Sequence, residues 1–151
     1  MANINLRKFK EKDIENIGRC VVHKIIPVVC VFPQMSSRDI LKDYIERDME
    51  LEPALVIADE KTDIMLGAFD AILIDDVLLT SYYVLPWYEN NEICTEALGL
   101  FIEYIRKNNP NVRKIEVSVN KSDIDSKMVA VRNRFVLLKQ DEFSEDWIYT
   151  L

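Results

Sequence analysis

Near the middle of this chain a strand, a helix and a second strand follow one another, with a proline at the first joint. Val77–Leu85 is rich in β-branched and aromatic side chains and is stopped by Pro86, which cannot donate to a strand ladder. Leu98, Phe101, Ile102 and Ile105 then share one helical face, at offsets of three, four and seven, and Asn108-Asn109-Pro110 ends that helix. In Val112–Val119, Ile115, Val117 and Val119 alternate with polar residues, which is the strand period. This succession predicts two adjacent parallel strands with the helix, from about Cys94 or Thr95 to Lys107, as their crossover. The two strands are expected to diverge near Pro86.

The flanking elements complete an α/β (α+β) pattern. Ile4–Phe9 reads as a short strand, and Asp13 as the cap of a helix carrying Ile14, Ile17, Val21 and Val22. Ile25 to Phe32 is β-branched but broken by Pro27, so a bent connector competes with a strand there. Ser36 or Ser37 is expected to cap a second helix through Met49, with Ile40, Leu41, Tyr44 and Ile45 as its apolar stripe. Ala54–Ala58 and Ile64–Ile74 read as a hairpin around Asp59–Asp63, and Asp75-Asp76 turns the chain into Val77–Leu85. After the parallel pair, Ser122 or Asp123 caps a helix to about Asn133, and Phe135–Leu138 and Trp147–Leu151 close the pattern as strands. With 151 residues, no repeat and no linker, the expectation is one domain over 1–151, a mixed, mostly antiparallel twisted sheet flanked by helices.

Composition narrows the function. A formal charge of −7 argues against a nucleic-acid partner and against docking on an anionic membrane. No apolar run approaches the ~20 residues of a spanning helix, and the odd set Cys20, Cys30 and Cys94 fits a reducing cytoplasm. A single histidine, His23, gives little for a metal site. Only Gly18, Gly67 and Gly99 are glycine, and neither GxGxxG nor a P-loop is present, which argues against mononucleotide and dinucleotide folds of those types.

The order strand, two helices, three-strand meander, helix, strand, helix, two strands resembles the GNAT acetyltransferase superfamily, and particular residues carry the resemblance further. Leu6-Arg7-Lys8-Phe9 through Asp13 is similar to the opening of the RimJ/RimL-like branch. Tyr82-Tyr83-Val84-Leu85-Pro86 resembles its fourth strand, and Ile93-Cys94-Thr95-Glu96-Ala97-Leu98 its acetyl-CoA helix. The spacing from Ser126 to Phe135 and the ending Asp146–Leu151 also resemble the family. The resemblance implies a sheet splayed between the fourth and fifth strands and direct attack of an amine on acetyl-CoA. It implies cofactor contacts at Val84, Asn90, Asn91, Glu92, Ile93, Cys94 and Ser126, with Ser126 also the candidate catalytic acid for the leaving thiolate. The acceptor would be a small-molecule or peptide amine, and the family leaves room for a homodimer.

The acetyl-CoA loop departs from the family pattern Arg/Gln-x-x-Gly-x-Gly/Ala. The chain has Glu89-Asn90-Asn91-Glu92-Ile93-Cys94, a carboxylate in place of a basic or amide residue and another in place of glycine. A unit charge ~5 Å from the pyrophosphate costs roughly 3 kcal/mol at an effective ε of 20, before screening. Asp123 replaces an asparagine, and Arg134-Phe135 replaces Gly-Phe. Two functions follow from these residues: an N-acetyltransferase, or a GNAT-fold binding module that has lost acetyl-CoA and catalysis.

Most of the singled-out residues have a commoner structural use. Ser126 is more often a capping hydroxyl than a proton donor, and His23 more often a surface or packed residue than a base. Of Tyr82 and Tyr83, which alternate across a strand, one belongs to the core and the other can face a cleft. A phenol there could serve as acid, though packing is the more frequent role.

Overall fold

The computed structural model describes residues 3–22, 36–47, 53–88 and 91–151. Seven strands form one sheet: β1 (Ile4–Arg7), β2 (Leu55–Asp59), β3 (Met65–Ile74), β4 (Val77–Val84), β5 (Lys114–Asn120), β6 (Val136–Gln140) and β7 (Ser144–Thr150). Their spatial order is β1-β2-β3-β4-β5-β7-β6, and every neighbouring pair is antiparallel except β4 and β5. Helices α1 (Ile14–Val22) and α2 (Ser37–Glu46) cover one face, where Ile17, Ile40, Leu41 and Tyr44 pack on Val56, Ala68 and Tyr83. Helices α3 (Asn91–Asn108) and α4 (Ile124–Arg132) cover the other, where Phe101, Ile105 and Val129 pack on Phe69, Leu78 and Ile115.

Several boundaries differ from the expected ones. Helix α3 begins at Asn91, three residues before Cys94, because Asn and Glu suit the donor-rich, positive end of a helix better than a loop. Strand β1 stops at Arg7 rather than Phe9, whose ring turns inward to stack on Tyr44 at 4.2 Å. Ser36 is the cap of α2, accepting a hydrogen bond from the Asp39 N–H, but that helix ends at Glu46. Ile45 is half exposed and leaves the apolar stripe. His23, Cys30 and the segment Ile25 to Phe32 lie outside the described residues, as does Met49.

Asp13 is not the cap of α1: it ends a short 3-10 turn, Glu11–Asp13, and its carboxylate turns back to Lys10 and Arg7. It is buried and accepts two hydrogen bonds from the Arg7 guanidinium, at 2.9 Å each, and one from the Lys10 N–H. The same guanidinium reaches Asp63 at 2.6 Å, and Lys10 and Lys12 hold the other Asp63 oxygen at 2.8 and 2.6 Å. This cluster pins the start of α1 to the β2–β3 turn. A second buried pair, Arg47 with Asp70, ties the end of α2 to the middle of β3.

Gly67 fixes how β3 meets β4. A Cβ there would overlap the Tyr83 carbonyl oxygen and lie 2.9 Å from Val84 Cα, so only glycine permits this approach. Gly67→Ala is expected to cost about 3 kcal/mol of unfolding free energy, measured by denaturant melts. An alanine variant as stable as wild type would contradict the contact.

The Asp63 carboxyl is held well below the usual carboxylate range, chiefly by its hydrogen bonds from Lys10 and Lys12, with Arg7 adding to them. Its folded pKa lies below its unfolded value of about 3.9. The stabilisation is therefore complete above that value and is lost as pH falls through the depressed one. Asp63→Asn should lower the melting temperature at pH 7, and the gap to wild type should narrow as pH drops below about 4. A gap that stays constant into acid would contradict this.

Candidate active-site cleft

Strands β4 and β5 pair only part-way. Their register runs from Val77 with Lys114 to Thr80 with Val117 and stops there. Beyond that point β4 stays on β3 as far as Val84, which pairs with Gly67, and β5 stays on β7 as far as Asn120, which pairs with Ser144. Ser81–Val84 and Ser118–Asn120 therefore face each other across a gap with no ladder between them. The expected divergence lies a few residues before Pro86.

The gap opens on both faces of the sheet. On the α3–α4 side it is a cavity of about 220 Å³ lined by Thr80, Tyr82, Val117, Val119, Asp123 and Ser126, among others. On the opposite side a cavity of about 280 Å³ is lined by Leu79, Glu116 and Asp146. Thr80, Ser81 and Ser118 line both.

Helix α4 delivers two polar groups to this gap. Asp123 is its cap, accepting from the Ser126 N–H at 3.1 Å, and the Ser126 hydroxyl donates to the other carboxylate oxygen at 2.7 Å. The Ser126 proton is thus turned toward Asp123. Helix α4 is held against α3 by Asn133, whose side-chain amide donates to the carbonyls of Thr95 and Val129. Immediately after it Arg134 has φ 66°, a left-handed conformation that favours glycine.

The first turn of α3 lies at the end of the gap. Ile93 is buried beside Val84 in the core, Cys94 is partly exposed and Glu92 points outward. Asn91 opens the helix, while Glu89 and Asn90 lie outside the described residues. An 18-residue helix points its N-terminal, positive end here, which suits an anion, and Glu92 brings a carboxylate to the same turn.

Tyr82 and Tyr83 divide as alternation requires. Tyr83 is buried among the α1–α2 cluster, and Tyr82 lies on the cleft side. The Tyr82 hydroxyl oxygen is shut from solvent and has no hydrogen-bond partner, and the Thr95 hydroxyl is in the same condition. Burial pushes the Tyr82 phenol up, with Cys94 and Asp123 adding to the shift, so it remains protonated. Cys20, by contrast, lies on the buried face of α1, where burial pushes its thiol up to about 12 and leaves it inert. Among the described residues no group of three or more His, Cys, Asp or Glu could hold a metal ion, and no helix is long and apolar enough to cross a membrane.

Two strand segments with no ladder between them thus face each other, and Tyr82, whose buried hydroxyl has no partner, is among the residues that line the gap. Solved structures share this fold. A spermidine N-acetyltransferase from Vibrio cholerae, in complex with CoA and spermine, superposes with a TM-score of 0.80 at 13% identity, over 98% of this chain and 95% of that one. A ribosomal-protein-S5-alanine acetyltransferase from Vibrio fischeri gives 0.78 at 13% identity, over 99% and 94%. The ribosomal L7/L12 alpha-N-protein acetyltransferase RimL, in complex with coenzyme A, gives 0.77 at 12% identity, over 100% and 96%. The fold is that of the GNAT acetyltransferases. At the level of sequence, no protein-family model and no curated protein matches the chain.

Within the GNAT fold several features were not anticipated from sequence. The commitment of the Ser126 proton to Asp123 depends on side-chain rotamers, which spacing does not reveal. The close approach at Gly67 did carry a signal, since an isolated glycine in a strand pattern marks close backbone contact. Arg134 retains a glycine-like backbone without the glycine, so Arg134→Gly should raise stability by about 1 kcal/mol. A melting temperature that falls on this change would contradict strain at that turn.

Proposed function

We propose that the protein is an acetyl-CoA-dependent N-acetyltransferase that acts on an amine, either a small molecule or a peptide. The observation that carries this reading is the early end of the β4–β5 ladder, which leaves two strand edges where an extended amide-bearing chain can add hydrogen bonds. Acetyl-CoA supplies the acetyl group as a thioester. The backbone of Ser81–Val84, including Val84, would hold the pantetheine, and the donors of Asn91–Cys94 at the head of α3 would meet the pyrophosphate, together with the preceding Asn90. Ser126 and Asp123 stand at the wall of the gap, where Ser126 would contact the thiol end; to act as an acid its hydroxyl must first turn away from Asp123.

The acceptor would enter from the opposite face, where Glu116 and Asp146 line the second cavity. Those carboxylates favour an acceptor that arrives as an ammonium, which must lose a proton before its nitrogen can attack. The fold's contribution is chiefly to hold nitrogen and acetyl carbon in line across the sheet. The structural neighbours support the reading, since their names describe acetylation of spermidine and of ribosomal proteins.

Calorimetric titration with acetyl-CoA tests it. Wild type is expected to bind weakly, because Glu89 and Glu92 oppose the anion. Glu89→Arg with Glu92→Gly should raise affinity tenfold or more, a gain of ~1.4 kcal/mol or above, and the gain should shrink as salt is raised. No binding by either form would overturn the assignment.

A further inference from the structure

We propose that strand β6 is a self-recognition edge: it pairs antiparallel with β6 of a second copy of this chain, about a two-fold axis at Leu138, and joins the two copies into one sheet with seven strands from each.

The observation is a sheet edge left apolar where edges are normally guarded. Strand β6 ends the order β1-β2-β3-β4-β5-β7-β6, so one side of its backbone is bonded to β7 and, among the described residues, no strand lies along the other. All five of its residues are exposed; Val136, Leu137 and Leu138 are 61%, 43% and 50% accessible, and Phe143, just beyond the strand, is 71%. Val136 stands opposite Ile148 and Leu137 opposite Trp147, so the strand is apolar on both faces of the pleat. An open apolar edge recruits other strands, and natural edges are blunted by charge, proline or brevity. The other edge of this sheet shows that guard: β1 has four residues, with Ile4 buried and Arg7 held by Asp13 and Asp63. Helix α4 enlarges the patch at β6. Its Ile124, Met128 and Val131, at offsets of four and three, share one helical face and are exposed. Lys127 of that helix bonds Glu145, which stands opposite Gln140 of β6, so α4 runs along the same side of the sheet.

Charge selects the occupant. A chain of formal charge −7 is a poor partner for nucleic acid or an anionic membrane. The two ends of β6 carry opposite signs, with Arg132 and Arg134 just before it and Asp141 and Glu142 just after. A copy laid antiparallel about Leu138 sets Val136 beside the partner's Gln140, Leu137 beside the partner's Lys139 and Arg134 next to the partner's Glu142. A parallel copy would set like charges together. The edge is thus self-complementary, which is what an isologous contact requires. The β6–β7 register shifts between Leu137 and Lys139, so Leu138 is unmatched on β7 and falls where the axis passes. That axis stands perpendicular to the sheet, so both copies turn the cavity lined by Glu116 and Asp146 to the same face. Strands β5 and β7 separate this edge from the β4–β5 gap, so the pairing is independent of what the gap binds.

Sedimentation of the full chain over a wide range of concentration tests the proposal. Wild type should form a dimer. Leu138→Lys sets two ammonium groups on the axis and should weaken that dimer about tenfold or more. Ile74→Lys, at a half-exposed apolar position on β3, should leave it unchanged. Glu142→Arg should weaken the dimer, and adding Arg134→Glu should restore it, a rescue that needs no change in the strand itself. Leu138→Cys should give a disulfide-linked dimer on oxidation, and Ile74→Cys should not. A wild type that stays monomeric at every concentration would overturn the proposal. So would a dimer that Leu138→Lys leaves intact, or a Glu142→Arg defect that Arg134→Glu fails to rescue.

Discussion

The structure depends on a ladder that stops early. Strand β4 is bonded to β3 along its whole length but to β5 only as far as Thr80, so the sheet divides along one seam. Gly67 makes that choice of partner durable, because β3 can approach the Tyr83 carbonyl closely only where there is no side chain. Pro86 then prevents β4 from continuing and sends the chain into α3. The gap, the helix end at its edge and the two cavities on either face follow from these three local facts.

Electrostatics divides the molecule along similar lines. The network of Arg7, Asp13, Asp63, Lys10 and Lys12, together with Arg47 and Asp70, anchors α1 and α2, far from any chemistry. The cleft itself is acidic at three places: Glu92 at the helix end, Asp123 at the wall and Glu116 with Asp146 behind. Backbone N–H groups and a neutral phenol are the donors set against those carboxylates.

The fold was largely legible because it is written in periodicities. Alternation in Ile115, Val117 and Val119, the helical stripe from Leu98 to Ile105 and the stop at Pro86 are each properties of a few neighbouring residues. What was not legible depends on residues distant in sequence. Arg7 and Asp63, 56 residues apart, meet only in the fold, and Ile45 fits the apolar stripe of α2 yet is half exposed. Sequence alone starts α3 too late because Asn91 and Glu92 are polar and resemble a loop, although their chemistry suits a first helical turn. In the cleft, the position of Ser126 was readable from its spacing to Phe135, but the direction of its proton was not. The contrast between the two tyrosines followed from strand alternation, whereas the absence of any partner for the Tyr82 hydroxyl is a property of three-dimensional packing.

The central claim is that the unpaired edges of β4 and β5 receive an extended acyl carrier as though it were a strand. Hydrogen–deuterium exchange with and without acetyl-CoA tests this most directly. Protection should appear in 81–84 and 118–120, where the ladder is missing, and little should change in Val77–Thr80, where it is already formed. Acetyl-CoA that binds without slowing exchange in 81–84 would show that the gap is not its site.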